Sequence, residues 1–318
     1  MELARTTEAA ALSAARWMGR GDKIAADQAA VDGMRTMLAS VQMDGVIVIG
    51  EGDKDEAPML YIGEEVGTGD EPKVDIAVDP VEGTTLLANG MPNSIAVVAM
   101  SDRGSMFFAP GIVYMDKIAV GPEAAHVIDL NESVAENLNR VADAKRMPIH
   151  QLTVVVLQRP RHEKLIADIR ATGARIKLIA DGDVAGGLMT CTPGGGADVL
   201  MGVGGAPEAV ITAAALKCIG GTIQCKLWPR DDNERRTAEE AGFEIDKVLT
   251  ADDLVNSDNI FFSATGITDG EFLNGVRYTA AGATTQSLVM RSRSGTVRWI
   301  ESIHELKKLA QYAAVPFD

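Results

Sequence analysis

Cysteine is scarce in this sequence. It occurs three times in 318 residues, as Cys191, Cys218 and Cys225. Three irregularly spaced thiols are too few for a disulfide framework or a zinc site, and an odd number fits a reducing compartment. We therefore expect the cysteines to be small core residues.

Histidine and long apolar runs are scarce as well. The four histidines show no paired metal-ligand spacing, and we assign no catalytic role to any of them. No apolar run approaches the roughly 20 residues needed to cross a bilayer, and the first residues lack the basic-then-apolar pattern of a signal peptide. These absences predict a cytoplasmic protein that does not engage a membrane.

Acidic residues outnumber basic ones, and the formal net charge is −15. This balance argues against binding to nucleic acid, whose phosphates require a basic face. A small phosphorylated substrate would also be repelled, so its binding would depend on metal ions or a few aimed Arg and Lys side chains. With 46% apolar residues in 318, the chain has the composition and length of two globular domains.

The most informative motif is Asp-Pro-Val-Glu-Gly-Thr-Thr at 79–85. It follows a predicted strand, so two carboxylates stand at a strand end before a Gly-Thr turn. Carboxylate oxygens suit hard cations such as Mg²⁺ and Mn²⁺, and backbone N–H groups of such a turn can hold an anion. The acid-rich segment 50–56 follows another predicted strand, and the two strand ends together predict one metal centre. Helix capping by Asp79 is the simpler alternative, but it accounts for only one of the two acids.

Hydrophobic periodicity predicts a mixed α/β fold with a change of pattern in the middle of the chain. The first half has predicted helices over 5–18 and 24–40 and predicted strands over 45–50, 74–79, 94–100 and 111–120. This pattern favours an α+β domain built on an antiparallel sheet. The second half has predicted strands over 152–157, 175–179 and 198–203 and predicted helices over 161–173, 183–192 and 207–219.

The second pattern favours a parallel sheet with crossover helices. A hairpin is predicted at the end of the chain, with strands over 284–291 and 296–304. We place the domain boundary near Pro148. The prediction is therefore an α+β domain of residues 1–148 and an α/β domain of residues 149–318.

The motif Asp-Pro-x-Glu-Gly-Thr, with Gly-Glu-Gly upstream, resembles the signature of the metal-dependent, lithium-sensitive sugar phosphatase superfamily. This superfamily includes inositol monophosphatases and fructose-1,6-bisphosphatases, and the chain is similar from end to end to the bacterial class II fructose-1,6-bisphosphatases. The segments that carry this similarity are 17–27, 47–52, 55–64, 75–80, 159–162, 181–185, 204–208 and 263–268. The resemblance implies a layered α/β/α/β/α sandwich with the active site between two domains. It also implies hydrolysis of the 1-phosphate of fructose 1,6-bisphosphate, a reaction of gluconeogenesis.

The resemblance assigns roles to individual positions. The implied ligands of Mn²⁺ or Mg²⁺ are Asp27, Glu51, Asp79, Glu82 and Glu208. The implied catalytic residues are Thr84, Asp27, Glu51 and Lys23. The implied substrate contacts are Gly83 and Thr84 at the cleaved phosphate, and Tyr114, Arg159, Arg161, Asp181, Asp183 and Gly205 at the sugar and second phosphate. We also expect a homo-oligomer, a dimer or a tetramer.

Simpler interpretations of these residues stay open. Asp27 and Lys23 could be solvated charges, Lys23 on the glycine-rich segment 19–23 that we otherwise interpret as a flap. Helix capping is the alternative for Glu208 and for Asp181 and Asp183, and an ordinary surface charge is the alternative for the two arginines.

Other functions also stay open. A dual fructose-1,6- and sedoheptulose-1,7-bisphosphatase is the nearest alternative enzyme. An inositol monophosphatase fits less well, because Arg159-Pro160-Arg161 suggests a clamp for a second phosphate. A non-catalytic metal or sugar-phosphate sensor is the alternative from another class. The loop before Tyr114 is one residue longer than a common family form, so the register at Tyr114 is open.

Overall fold

The computed structural model describes residues 1–51, 60–192, 194–280 and 282–309. The fold is mixed α/β, as predicted. The α-helices are α1 (Glu2–Ala15), α2 (Lys23–Leu38), α3 (Thr84–Ala88), α4 (Val134–Lys145), α5 (Glu163–Ala171), α6 (Asp183–Met189), α7 (Ala206–Ile219), α8 (Asp232–Glu240), α9 (Ala251–Leu254) and α10 (Leu306–Leu309). The strands are β1 (Asp44–Ile49), β2 (Glu65–Val66), β3 (Lys73–Glu82), β4 (Ile95–Asp102), β5 (Tyr114–Val120), β6 (Thr153–Leu157), β7 (Arg175–Ile179), β8 (Val199–Gly205), β9 (Thr222–Leu227), β10 (Leu249–Thr250), β11 (Phe261–Gly266), β12 (Arg277–Tyr278), β13 (Ala283–Arg291) and β14 (Thr296–His304).

The chain forms two compact units, and the first contains residues 1–106 with the described residues from 257 onward. In this described part, eight strands form a sheet in the order β12-β13-β11-β4-β3-β1-β2, with β14 paired to β13. β1 and β3 are parallel, whereas β3 and β4 are antiparallel. The sheet is therefore mixed, which corrects the prediction of an antiparallel sheet. The reason is that the chain runs back along the outer side of β1 as β2 before it returns as β3.

Helices α1 and α2 pack against each other and against the first sheet. Their apolar faces meet the strands in a core that includes Ala10, Met34, Ile47 and Ile76. Asp22 caps α2 by accepting a hydrogen bond from the backbone N–H of Ala25 at 3.0 Å. The cap makes Lys23 the first residue of α2 and places Asp27 one turn further along the helix.

The second unit contains residues 107–256. Its sheet has six strands in the order β10-β9-β5-β8-β6-β7. β6 is parallel to β7 and β8, as predicted, but β5 is antiparallel to both β8 and β9. The sheet is therefore mixed and not purely parallel. β5 was predicted for the first sheet because it follows β4 in sequence, but the connection at 103–113 carries the chain into the second sheet.

The two units divide the chain differently from the predicted boundary. Position 148 lies inside the second unit, and the tail returns to the first unit because β11 pairs with β4. The predicted terminal hairpin is confirmed as β13 and β14, which pair from Ala283 with His304 to Arg291 with Thr296. Over the residues that the structure describes, no helix has both the length and the apolar character that a membrane span requires.

Candidate active site

Asp79 and Glu82 lie at a β-bulge near the end of β3. Asp79 pairs with Val97 and Glu82 pairs with Ile95, so β3 advances three residues while β4 advances two. In a regular strand, a spacing of three places two side chains on opposite faces. The extra residue removes this difference, and carboxylate oxygens of the two acids lie within 4.8 Å of each other. The backbone N–H of Val81 donates to Asp79 Oδ1 at 3.1 Å, which orients the aspartate.

Gly83 and Thr84 form the turn from β3 into α3. Gly83 has φ +84° and ψ +48°, a left-handed conformation that residues with a Cβ atom rarely adopt. The Thr84 hydroxyl lies 3.0 Å from Asp27 Oδ1 and 3.1 Å from the carbonyl oxygen of Val81, and its proton can be donated to either. The hydroxyl thus links the strand carrying Asp79 and Glu82 to helix α2.

Asp27 and Glu51 are carboxyl groups with raised pKa values. Burial raises the pKa of Asp27 from 3.8 to about 6, although the Thr84 hydroxyl and the Lys23 charge act against the rise. Burial also raises the pKa of Glu51, and the negative charge of Asp27 adds to this effect. A cation beside such a pair would favour both ionised forms. The donors are carboxylate oxygens, so the residues present fit a hard cation. The remainder of the predicted acid-rich segment, residues 52–56, lies outside the described residues.

The glycine-rich segment 19–23 contacts α3. The backbone N–H groups of Gly19 and Gly21 each donate to a carbonyl group near the end of α3 at 2.9 Å. Lys23 Nζ donates to Thr85 Oγ1 at 2.8 Å. The segment is therefore bonded to the helix that begins at Thr84, and its action as a flap stays a prediction.

In the second unit, Arg161 stacks on Tyr114. The guanidinium carbon lies 4.9 Å from the centroid of the Tyr114 ring. The Trp228 ring packs edge-on against the same ring, with 6.1 Å between the two ring centroids. Arg161 Nε and Nη2 donate to the carbonyl oxygen of Val203 at 3.3 and 2.8 Å. Tyr114 therefore lies beside Arg161, and the resemblance assigns both residues to the sugar and second phosphate.

Arg159 joins the ends of β6 and β7. Its Nη1 donates to the carbonyl oxygen of Ala180 at 2.6 Å, and its Nη2 donates to Asp181 Oδ1 at 3.4 Å. Both side chains are about one-third exposed, at 33% and 30%. A partly exposed guanidinium that is fixed by protein oxygens can still present N–H groups to an anion.

Asp183 is buried and paired with a buried lysine. Lys117 in β5 donates from Nζ to Asp183 Oδ2 at 2.5 Å, and the two side chains are 2% and 8% exposed. Burial lowers the pKa of Lys117, but the carboxylates of Asp183 and Glu208 outweigh burial and the pKa is raised. Glu208 lies in the first turn of α7, three residues after its N-cap residue Gly205. Lys117 therefore stays charged beside two carboxylates of the predicted site.

His162 connects β6 and β8 beyond the point where their pairing ends at Val155 and Leu200. Its Nδ1 lies 2.7 Å from the carbonyl oxygen of Leu157, and the backbone N–H of Val203 donates to its Nε2 at 2.8 Å. A carbonyl can only accept, so Nδ1 carries the proton and the ring is neutral. The imidazole thereby holds Val203, whose carbonyl oxygen accepts from Arg161.

The neutral His162 ring predicts acid sensitivity. Burial lowers the pKa of His162, with smaller opposing effects from Leu157 and Asp116. A lowered pKa means that the unfolded chain binds the proton first, so His162 contributes stability above pH 6.5 and loses it as pH falls through the folded pKa. We expect His162→Asn to lower the melting temperature at pH 8 and to differ less from the wild type at pH 5. His150→Asn, at an exposed position, is the control, and a difference independent of pH would contradict the prediction.

The described residues divide the predicted site into two groups. The first unit holds Lys23, Asp27, Glu51, Asp79, Glu82, Gly83 and Thr84. The second unit holds Tyr114, Arg159, Arg161, Asp181, Asp183, Gly205 and Glu208. Sequence reasoning placed His162 near the site, next to Arg161, without giving it a role, and it missed Lys117. The available signal for Lys117 was a lone lysine inside the otherwise apolar end of a strand.

Comparisons with known proteins cover nearly the whole chain. A family model described as "Bacterial fructose-1,6-bisphosphatase, glpX-encoded" matches residues 1–304. The chain is 49% identical to "Fructose-1,6-bisphosphatase 1 class 2" of Escherichia coli strain K12, over 97% of this chain and 95% of that protein. It matches proteins named "Fructose-1,6-bisphosphatase class 2" from Escherichia coli O6:H1 and Shigella flexneri with the same identity and coverage. From this extent of similarity, the chain belongs to the family of bacterial class 2 fructose-1,6-bisphosphatases.

Proposed function

We propose that the chain is a phosphatase that hydrolyses the 1-phosphate of fructose 1,6-bisphosphate to give fructose 6-phosphate and inorganic phosphate. The family match over residues 1–304 supports this activity. The main structural support for this activity is the junction between β3 and α3. There the acids at the bulge, Asp79 and Glu82, are followed by Thr84, whose hydroxyl is hydrogen-bonded to Asp27. This junction supplies oxygen ligands and a hydroxyl at one place, as metal-assisted phosphate hydrolysis requires.

We propose that Mg²⁺ or Mn²⁺ is held by Asp27, Glu51, Asp79 and Glu82, with Glu208 as a further ligand. The carboxylate pairs of the first unit support this assignment. Such ions, when bound, would supply an acidified water molecule and positive charge for the departing oxygen. They would also offset the negative net charge of the chain, which is −15 and repels a bisphosphate.

Thr84 has a defined task in this proposal. Its hydroxyl donates towards Asp27 and can accept a hydrogen bond from the attacking water. This would orient the water, and Asp27 would receive its proton through the threonine. Gly83 and Thr84 would contact the cleaved phosphate, and Lys23 would bring a positive charge to the departing phosphoryl group.

The second group of residues would bind the sugar and the phosphate that is not cleaved. Arg159 and Arg161 are the proposed clamp, and Tyr114, Asp181, Asp183 and Gly205 complete the proposed contacts. Arg161 supports the clamp because its guanidinium plane is fixed by Tyr114 and by Val203. A guanidinium oriented in advance loses little freedom when it binds phosphate.

Phosphate release is the direct test of the function. The purified chain should release phosphate from fructose 1,6-bisphosphate when Mg²⁺ or Mn²⁺ is supplied separately, and a chelator should stop the reaction. Sedoheptulose 1,7-bisphosphate and inositol monophosphate belong in the same screen because they represent the alternative enzymes. Binding of the bisphosphate without phosphate release would instead identify a sensor.

Arg161→Ala should selectively impair the bisphosphate reaction. Loss of a charge-assisted contact costs about 1.5–3 kcal/mol, or roughly tenfold to a hundredfold in kcat/KM. Fructose 1-phosphate lacks the second phosphate, so its hydrolysis should change little. The comparison uses steady-state kinetics on both substrates, with Arg140→Ala in the Glu132 and Glu136 ion pairs as control. An equal loss on both substrates would move Arg161 to the cleaved phosphate or to a structural role.

We propose a homo-oligomer in the cytoplasm as the setting of this activity. The three free thiols support a reducing compartment. Light scattering on the purified chain would test the assembly, and a monomer at working concentration would contradict it.

A further inference from the structure

Lys117 is the most deeply buried charged side chain near the proposed substrate contacts of the second unit. It lies in β5, between β8 and β9, with a relative exposure of 2%. A buried lysine has a high desolvation cost, so it is retained only where it is paired. The partner is Asp183, at 2.5 Å from Nζ. The pair joins a central strand of the sheet to the first residue of α6.

The backbone of β8 is built around this pair. A Cβ atom on Gly204 would lie 1.9 Å from Asp183 Oδ2 and 2.9 Å from Lys117 Nζ. Any side chain at Gly204 would therefore displace the aspartate carboxylate. The backbone of β8 therefore lies directly against the Asp183 carboxylate, and Lys117 is the cation that pairs with that carboxylate.

The pair differs from an ordinary structural ion pair in its surroundings. Asp183 follows Asp181, and Arg159 binds both Asp181 and the adjacent carbonyl group of Ala180. Asp183 therefore lies in the short segment from the end of β7 to the start of α6, and this segment contains two of the proposed sugar contacts, Asp181 and Asp183. A carboxylate has about four acceptor positions, and the ammonium group occupies one side of it.

We propose that Lys117 is a positioning residue for substrate recognition, acting through Asp183. The fixed ammonium group sets the direction of the Asp183 carboxylate, so that its remaining acceptor positions can receive hydroxyl groups of the sugar. This inference rests on the proposed function and deepens it. Lys117 itself touches neither the substrate nor the reacting atoms.

Lys117→Met, Asp183→Asn and the double variant test this assignment. Methionine preserves much of the buried volume while it removes the charge. We expect Lys117→Met and Asp183→Asn each to raise KM for fructose 1,6-bisphosphate about tenfold to a hundredfold, with a smaller change in kcat. Because Lys117 acts through Asp183, the double variant should have the KM of Asp183→Asn alone. Lys226→Met, which removes a partly exposed lysine of the neighbouring strand β9 that donates to Asn131, should retain wild-type kinetics.

The outcomes separate positioning from structural support and from a failure of the proposed function. The inference would be overturned by a folded Lys117→Met protein that has the wild-type KM and differs from the wild type only in a lower melting temperature. If Lys117→Met does not fold, the double variant decides, because it contains no unpaired Asp183 carboxylate. A KM well above that of Asp183→Asn would then overturn the inference. An inactive wild type would contradict the proposed function instead.

Discussion

Asp79→Asn should abolish hydrolysis of fructose 1,6-bisphosphate while the fold stays intact. Neutralising one carboxylate of the bulged pair removes a charged oxygen ligand, and metal ions contribute several kcal/mol to such reactions. That contribution corresponds to a loss of roughly a thousandfold or more in kcat/KM. Asparagine keeps an oxygen that can accept from the Val81 N–H, so the bulge itself should persist. Phosphate release and calorimetric Mn²⁺ binding should therefore both fall, while the melting temperature of the metal-free protein changes little.

Asp70→Asn is the matched control for this variant. Asp70 also accepts one local hydrogen bond, from Thr68 at 3.0 Å, but it is exposed and has no assigned role. It should keep normal activity and metal binding. Glu51→Gln should behave like Asp79→Asn. Near-normal turnover of Asp79→Asn at ordinary metal concentration would remove Asp79 from the ligand set.

Thr84→Ala should reduce kcat by about a hundredfold or more, the scale of a lost proton-transfer or orienting group. Its substrate affinity should change much less, because the hydroxyl acts on the water, whereas the backbone N–H groups of the turn that would contact the phosphate are kept in the variant. Thr84→Ser keeps the hydroxyl and should retain part of the rate. The measurement is kcat, substrate binding and melting temperature on the wild type and the two variants.

A purely structural role of the Thr84 hydroxyl predicts different results. If the hydroxyl only supports the β3–α3 turn through Val81, the loss would appear as about 1 kcal/mol of stability. Thr36→Ala is a suitable control, since its hydroxyl donates to the carbonyl oxygen of Asp32 inside α2. A stable Thr84→Ala enzyme with wild-type kcat would show that the hydroxyl is not catalytic.

Local patterns predicted most elements of the fold. The helix at Lys23–Leu38 and the hairpin of β13 and β14 are encoded by periodicity and turn residues within the segments themselves. The pairing of β5 was missed because strand partners depend on contacts far away in the chain. The same limitation affected the first sheet, where the parallel pairing of β1 and β3 depends on the path through β2.

The predicted residues of the site came from motifs, but their environments did not. The bond between Lys117 and Asp183 joins residues 66 positions apart, and no local pattern announces it. The two hydrogen bonds that define the His162 tautomer likewise come from separate strands. A sequence motif names the residue type at a position, whereas its charge, orientation and partner arise from the tertiary structure.

The bulge in β3 makes the number of peptide units between Asp79 and Glu82 as important as their chemistry. In a regular strand, only an even count keeps two side chains on one face, and here an odd count works because one unit is unpaired against β4. Exchange of Val81 for another apolar residue would preserve that parity. Deletion of Val81 would leave two units on each strand and remove the bulge, together with the bend and added twist that it gives β3 before Gly83. The segment should therefore tolerate substitution between the acids far better than any change in its length.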